Sequence, residues 1–439
     1  MSEIGASFSS WLNRPYLDLG PAPEGVPNHT AALSVDCRSL FDGEDTPWFW
    51  SSLNPSFREA LVADANLPAY QVSNPTELAA ELRTDRWQQL CDYLADFRNL
   101  DAEVQFKVAR MLNRMCFFRY TRALIPDNIA ERAHESESLA ALGWLRAMAG
   151  YKLWLDGEAP SYRLAEFERL AKSTRPGLTR INSHYQMVVQ NVKHRADLAE
   201  TEHWQQLHQA AIEEVRHELD EHDYLMAMSR SHRVAGFVPQ MRRDAAGTVR
   251  EMDLAEDYAR RMDFGTEMQR RFARELMYPV QESRVKEALW IGELDLALRR
   301  AKAHRDNHLL DARVWLQCGE VHAQRDEPAE ALECFRESVR LSPPGGDVAR
   351  FLAGQCYECL DDPNAALDCY LGALRVDPLG ISSVDGVVRV AKALGSNVYG
   401  WAEKRLQELE ELRERQQDES EGGNDTYRHL PVPEPQAAR

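Results

Sequence analysis

Residues Trp315–Pro343 read WLQCGEVHAQRDEPAEALECFRESVRLSP, and the chain repeats their pattern in the stretch that follows. Gly319, Ala331, Phe335 and Pro343 recur as Gly354, Ala366, Tyr370 and Pro378, each pair separated by the same 35 residues. Four matches at one offset mark a duplicated structural unit. The intervening text agrees: Asp326-Glu327-Pro328-Ala329-Glu330-Ala331-Leu332 parallels Asp361-Asp362-Pro363-Asn364-Ala365-Ala366-Leu367. In both, an acidic turn leads into a Pro that suits a first helical turn, where no amide donor is lost. Each unit therefore reads as two antiparallel helices. Glycine and alanine stand where the helices approach closely, and Phe335 and Tyr370 fill the space between neighbouring pairs.

This pattern resembles the tetratricopeptide repeat, whose consensus has a large apolar residue, Gly, an aromatic, Ala, a second aromatic and a closing Pro. Trp315, Gly319, Ala331, Phe335 and Pro343 fit in the first unit, whereas His322 stands where the aromatic between Gly and Ala is expected. Tyr357 restores that aromatic in the second unit, and the extra Pro344 accounts for a period of 35 instead of 34. A weaker unit precedes these, since Gly292-Glu293-Leu294-Asp295-Leu296-Ala297-Leu298 resembles the same turn and Ala297 lies 34 residues before Ala331. After Pro378 the consensus fades into a stretch from Val384 to Leu394 and a charged one from Trp401 to Arg415, read as a cap with a polar outer face. The resemblance covers roughly Ser283 to Arg415. It implies an all-α, right-handed solenoid of helical hairpins with a concave surface that binds peptides or protein segments. Groove residues would come from the first helix of each pair, which singles out Arg313, Gln317, Glu320, Arg350 and Gln355.

The rest of the 439-residue chain is also helix-rich but shows no consensus repeat. Residues 61–281 are read as a divergent helical domain and 282–415 as the repeats with their capping helix. Asn74-Pro75-Thr76-Glu77 offers an N-cap, a first-turn Pro and an acidic residue reaching back, followed by Leu78, Leu82, Leu90, Leu94 and Phe97 at helical spacing. Val104, Val108, Met111, Leu112 and Met115 form another stripe, and Leu139, Leu142, Leu145, Met148 and Leu153 a third. Arg175-Pro176-Gly177 separates two more helices, and one long helix is expected from about Ala199 to Ala235. Residues 1–60 form a Pro-punctuated arm with Trp11, Tyr16, Trp48, Phe49 and Trp50, whose aromatics are expected to pack along the helical array in preference to binding a partner. Residues 416–439 are acidic and Pro-rich, the composition of a disordered tail.

Composition excludes some classes. Hydrophobic residues at 44% and charged residues at 28% give real cores, and a net charge of -18 disfavours nucleic-acid backbones and anionic membranes. The N-terminus has no signal-peptide pattern and no stretch reaches the length of a membrane span, so cytoplasmic residence is expected. The eight cysteines lie mostly in helical patterns, as small buried apolar residues do. Cys356 and Cys359 form a Cys-x-x-Cys within a helix, with no second pair at zinc-ribbon spacing, and are read as packing residues. His304 and His308 are one turn apart without the Glu of a metalloprotease signature and are read as a surface pair.

Glu200/His203 and Glu214/His217 have the Glu-x-x-His spacing of a helical di-metal site. On one continuous helix, 14 residues separate them by about 21 Å, too far to share an ion. A solvated Glu- and His-rich face is the favoured reading, and a break in the helix would reopen the question. Arginines concentrate between Arg230 and Arg300 in an otherwise acidic chain. Most are expected to pair with nearby carboxylates, with Arg242 and Arg243 set apart by a loop between Pro239 and Gly247. No Walker loop, dinucleotide fingerprint, kinase set or nucleophile elbow occurs, and no cofactor is expected. The sequence thus favours a non-catalytic scaffold for a protein or peptide segment. The alternatives are a peptide-responsive regulator and a helical metalloenzyme using the His/Glu-rich middle.

Overall fold

The computed structural model describes residues 16–21, 28–44, 72–155, 164–262, 265–341 and 346–420. Trp11, Trp48, Phe49, Trp50, Pro343 and the tail beyond Ser420 lie outside the described residues. The described chain is all-α, without a strand. Its helices are α1 (Asn28–Phe41), α2 (Asp85–Ala95), α3 (Ala102–Arg114), α4 (Phe118–Leu124), α5 (Glu137–Leu155), α6 (Ala165–Ser173) and α7 (Leu178–Gln190). There follow α8 (Leu198–Glu214), α9 (Glu221–Ala235), α10 (Phe237–Met241), α11 (Ala245–Arg260), α12 (Glu267–Trp290) and α13 (Leu294–Asn307). The C-terminal set is α14 (Ala312–Gln324), α15 (Pro328–Arg340), α16 (Gly346–Cys359), α17 (Pro363–Val376), α18 (Ile381–Leu394) and α19 (Tyr399–Ser420). No described helix is long and apolar enough to cross a membrane.

From α12 onward each helix packs on the one before and the one after, and the same neighbour-to-neighbour order holds for the larger helices back through α7, α6 and α5. Buried clusters follow that order. One unites α12 with α13, α14 and α15, the next α15 with α16 and α17, and the next α17 with α18 and α19. A core divided between successive hairpins is what defines a solenoid. Upstream, the helices keep the neighbour-to-neighbour order but share one continuous core from Tyr16 to Val234. The hairpin turns are equivalent: Gly292, Asp326 and Asp361 all adopt positive φ, at 84°, 61° and 60°. The weak unit at Gly292 is thus a genuine member. Local chemistry ends the helices cleanly, because Thr84, Asp101, Asp197, Asp220, Asp244, Thr266, Asp311 and Asp362 each accept a first-turn backbone N–H. Each such cap contributes about 1 kcal/mol.

Four sequence expectations change. The long helix from Ala199 to Ala235 is two helices, broken between Glu214 and Glu221, with Asp220 capping α9 through the Asp223 N–H at 2.7 Å. Asn74 does cap, accepting from the Thr76 N–H at 2.9 Å while Glu77 takes the Ser73 N–H at 2.8 Å, but only 3-10 turns follow before α2 begins at Asp85. The helix that closes the array continues to Ser420, past the expected start of the tail, and α12 runs unbroken across residues 281–282.

The described part of the N-terminal arm is packed inside the array. Tyr16 and Leu19 are fully buried, and α1 is buried on every face, including Thr30, Ser34, Asp36 and Ser39. It touches both α3 and α12, elements from distant hairpins. Val35 joins Leu225, Met226, Met262, Leu276 and Val280, while Asp36 accepts from Arg114 Nε at 2.7 Å and forms an ion pair with Arg110 at 2.9 Å. Arg86 ties the ends of the segment down, donating to the Leu19 carbonyl at 3.0 Å and to Asp42 at 2.9 Å.

Candidate functional site

Four stretches from successive hairpins bring charged side chains together. Lys193 stands in the π-turn Asn191–Arg195 that ends α7, Arg233 in the last turn of α9, Glu282 and Lys286 on α12, and Glu320 on α14. Lys286 binds Glu282 one turn away, and that ammonium is the main reason the Glu282 carboxyl is pushed down to about 2. Lys193 and Lys286 are exposed to water. Even so, surrounding protein is the main cause that lowers the Lys193 pKa, with the nearby Lys286 and Arg233 charges adding to it. Glu320 is raised by the same partial loss of water, opposed by Lys286. These side chains interact with one another across successive helices, on a face that water reaches. Its positive members, Lys193, Arg233 and Lys286, come from three different hairpins.

A buried polar layer supports this face. Arg230 donates to Asn182 Oδ1 and lies 4.5 Å over the Tyr185 ring, with burial pushing its guanidinium down to about 10. Arg233 donates to the Tyr185 hydroxyl. His208 Nδ1 donates to the Ile181 carbonyl at 3.0 Å and packs edge-on against Tyr185. On the α12–α14 side, Arg313 binds Asp311 at 2.9 Å and covers the Tyr278 ring at 4.9 Å. Gln317 Nε2 donates to the Glu282 carbonyl at 3.2 Å.

The structure sorts the sequence candidates. Arg313, Gln317 and Glu320 do converge beside Glu282, although Arg313 and Gln317 are committed to internal partners. Arg350 is half-buried against Gly372 on α17, and Gln355 is exposed on α16. Arg242 pairs with Glu202, and Arg243 is an exposed turn residue with φ 60°. Several arginines of the 230–300 region pair with nearby carboxylates: Arg284 with Asp253, Glu256 and Glu287, Arg300 with Glu287, and Arg260 with Glu256. Arg233 belongs to the arginine-rich stretch and Lys286 to the weak first unit, but neither they nor Lys193 and Glu282 carry a sequence sign that they meet.

The helix break does not create the di-metal site. Glu200 accepts from Trp204 Nε1 at 3.2 Å, His203 packs against the Trp204 ring, Glu214 pairs with Arg180, and exposed His217 lies beside Glu218. Among the described residues, the sets that bring three ligand atoms together are Cys318/His322/Cys334 and Asp220/His222/Asp223, neither of which includes them. His304 and His308 are not a surface pair: His304 is buried, and both rings pack on Tyr278 at 4.7 and 4.8 Å. Cys356 is buried and Cys359 exposed, which suits packing rather than a joint site.

Neither a protein-family model nor a curated relative matches the sequence. Among solved structures the chain is similar to MamA, at 16% identity and TM-score 0.32 over 40% of this chain and 96% of that one. It is similar to yeast Tom70, at 10% identity and TM-score 0.46 over 90% and 75%. It is similar to a human IFIT1 dimer with m7Gppp-AAAA, at 13% identity and TM-score 0.44 over 93% and 96%.

Proposed function

We propose that this protein is a non-catalytic scaffold that holds a carboxylate-bearing protein or peptide segment against the face formed by Lys193, Arg233, Lys286 and Glu320. The observation that carries the reading is the mutual placement of three cations from separate hairpins on one water-accessible face, where only Lys286 has a neighbouring carboxylate as its direct partner. A partner carboxylate entering there meets Lys193 and Arg233 beside the Glu282–Lys286 pair and Glu320, and protein walls near these groups strengthen charge-assisted hydrogen bonds. Hairpin solenoids supply extended surfaces suited to a segment rather than a small molecule.

The test is site-specific photo-crosslinking of the full-length chain in its native extract, with the probe at Glu320 or Lys193 and a control probe at exposed Lys404. The expected result is one crosslinked polypeptide, captured through an acidic stretch, from the two positions on this face and not from the control. Lys193→Glu/Lys286→Glu should abolish it. Equal capture from the control position, or capture indifferent to that charge reversal, overturns the reading.

A further inference from the structure

We propose that Cys318, His322 and Cys334 form a binding site for a single thiophilic d10 ion, Zn2+ or Cu+, built into the α14–α15 hairpin. Cys318 and His322 lie one turn apart on the same face of α14, and Cys334 meets them from α15. One ligand atom from each lies within 4.8 Å of the other two. Bonds of about 2.3 Å to sulfur and about 2.0 Å to nitrogen place donor atoms about 3.5 to 4 Å apart, so binding would draw these side chains together by about 1 Å from that limit. All three residues are buried, at 0%, 5% and 4% exposure, so a bound ion would be held inside the hairpin.

The surroundings are those a ligand histidine needs. His322 Nδ1–H donates a hydrogen bond to Glu327 Oε2 at 2.6 Å, and Glu327 is itself held by Arg325 Nε at 2.9 Å. A carboxylate on one ring nitrogen fixes the tautomer and leaves Nε2 as the donor atom, the arrangement that raises ligand basicity in metal sites. Arg305 Nη1 sits 4.0 Å from Cys318 Sγ, placed to donate to a coordinated thiolate. Binding Zn2+ displaces the two thiol protons and leaves a neutral bis-thiolate centre with one position for water; binding Cu+ displaces the same protons and closes with three ligands.

Neighbouring hairpins do not carry this set of residues. In the next hairpin the aligned positions are Ala353, Tyr357 and Cys369, and in the preceding one Arg284, Ala288 and Arg300. His322 occupies the place where the repeat pattern calls for an aromatic. The next hairpin keeps a cysteine at the third position, Cys369, but only the α14–α15 hairpin combines it with Cys318 and His322.

The experiment uses the full-length chain, reduced and stripped with a chelator, then titrated with Zn2+ against a chromophoric zinc chelator and, anaerobically, with Cu+ against a chromophoric copper chelator. One equivalent of at least one ion should outcompete the chelator, and the stronger arm identifies the ion. Cys318→Ala/His322→Tyr, which installs the residues of the next hairpin, should lose that binding while keeping the helical signal. Glu327→Gln should weaken it by about 10- to 100-fold. Cys356→Ala/Cys359→Ala should retain it. Failure of both ions to reach stoichiometry, or stoichiometric binding by Cys318→Ala/His322→Tyr, overturns the proposal.

Discussion

Gly319 lies directly under the ring of Phe335: a methyl group on its Cα would come within 2.5 Å of Cε1 and 2.7 Å of Cδ1. The aromatic ring belongs to the second helix of the same hairpin and is fully buried, so it has no room to retreat. Gly319→Ala sets a helix-propensity gain of about 1 kcal/mol against overpacking of about 1–3 kcal/mol, and net destabilisation is expected. Gly400→Ala, where nothing lies within 4 Å, should be neutral or slightly stabilising. Urea denaturation of the two variants checks the contrast, and a Gly319→Ala chain as stable as Gly400→Ala would refute it.

Tyr370 repeats the relationship on both sides, with Gly354 and Gly386 against its ring and Glu358 accepting from its hydroxyl. Tyr370→Phe loses one hydrogen bond and should cost about 1 kcal/mol. Tyr370→Ala empties the space between two hairpins and should cost about 3–5 kcal/mol. Equal losses in thermal or urea unfolding would show that the hydroxyl, not the ring, joins the hairpins.

Asp36 on α1 holds Arg110 and Arg114 in a buried cluster near Glu275. Asp36→Ala leaves two guanidinium groups short of their carboxylate, a change that typically costs about 3–5 kcal/mol. Hydrogen exchange over residues 28–41 should accelerate more than exchange in α17, because α1 is tied to the array through this cluster and the Val35 contacts. Wild-type protection of residues 28–41 would sink the prediction.

Acid should weaken the fold before its carboxylates titrate. Burial depresses His208 to about 3 and His184 to about 4. A histidine whose folded pKa lies below its unfolded value near 6.5 contributes stability that is full above that value and declines as pH falls toward the folded pKa. Between pH 7.5 and 5 the loss from His208 alone is about 2 kcal/mol. The melting temperature should fall across this window, and less steeply in His208→Gln. Parallel profiles for the two proteins would exclude His208 as a cause.

The C-terminal hairpins were legible because their determinants are local. A glycine under an aromatic, an acidic turn and a helix-initiating proline act within one unit of 35 residues, and duplication makes them visible. Upstream, the hairpins bury irregular sets of side chains with no fixed period, so helix stripes could be read but not their pairing. Asp220, three residues before Asp223, was the available sign that the Ala199–Ala235 stretch divides; without Gly or Pro nearby it was easily passed over.

By itself, the sequence determined the all-α class, the duplicated hairpins and the cysteine and histidine spacing along α14. Only tertiary structure decided that Lys193, Arg233, Lys286 and Glu320 lie near one another, that Cys334 meets Cys318 and His322, and that Asp36 runs into a buried pair of arginines. Each of these depends on how one helix stacks upon another. Stacking is set by the summed shape of many apolar contacts, and no short stretch of residues carries that information.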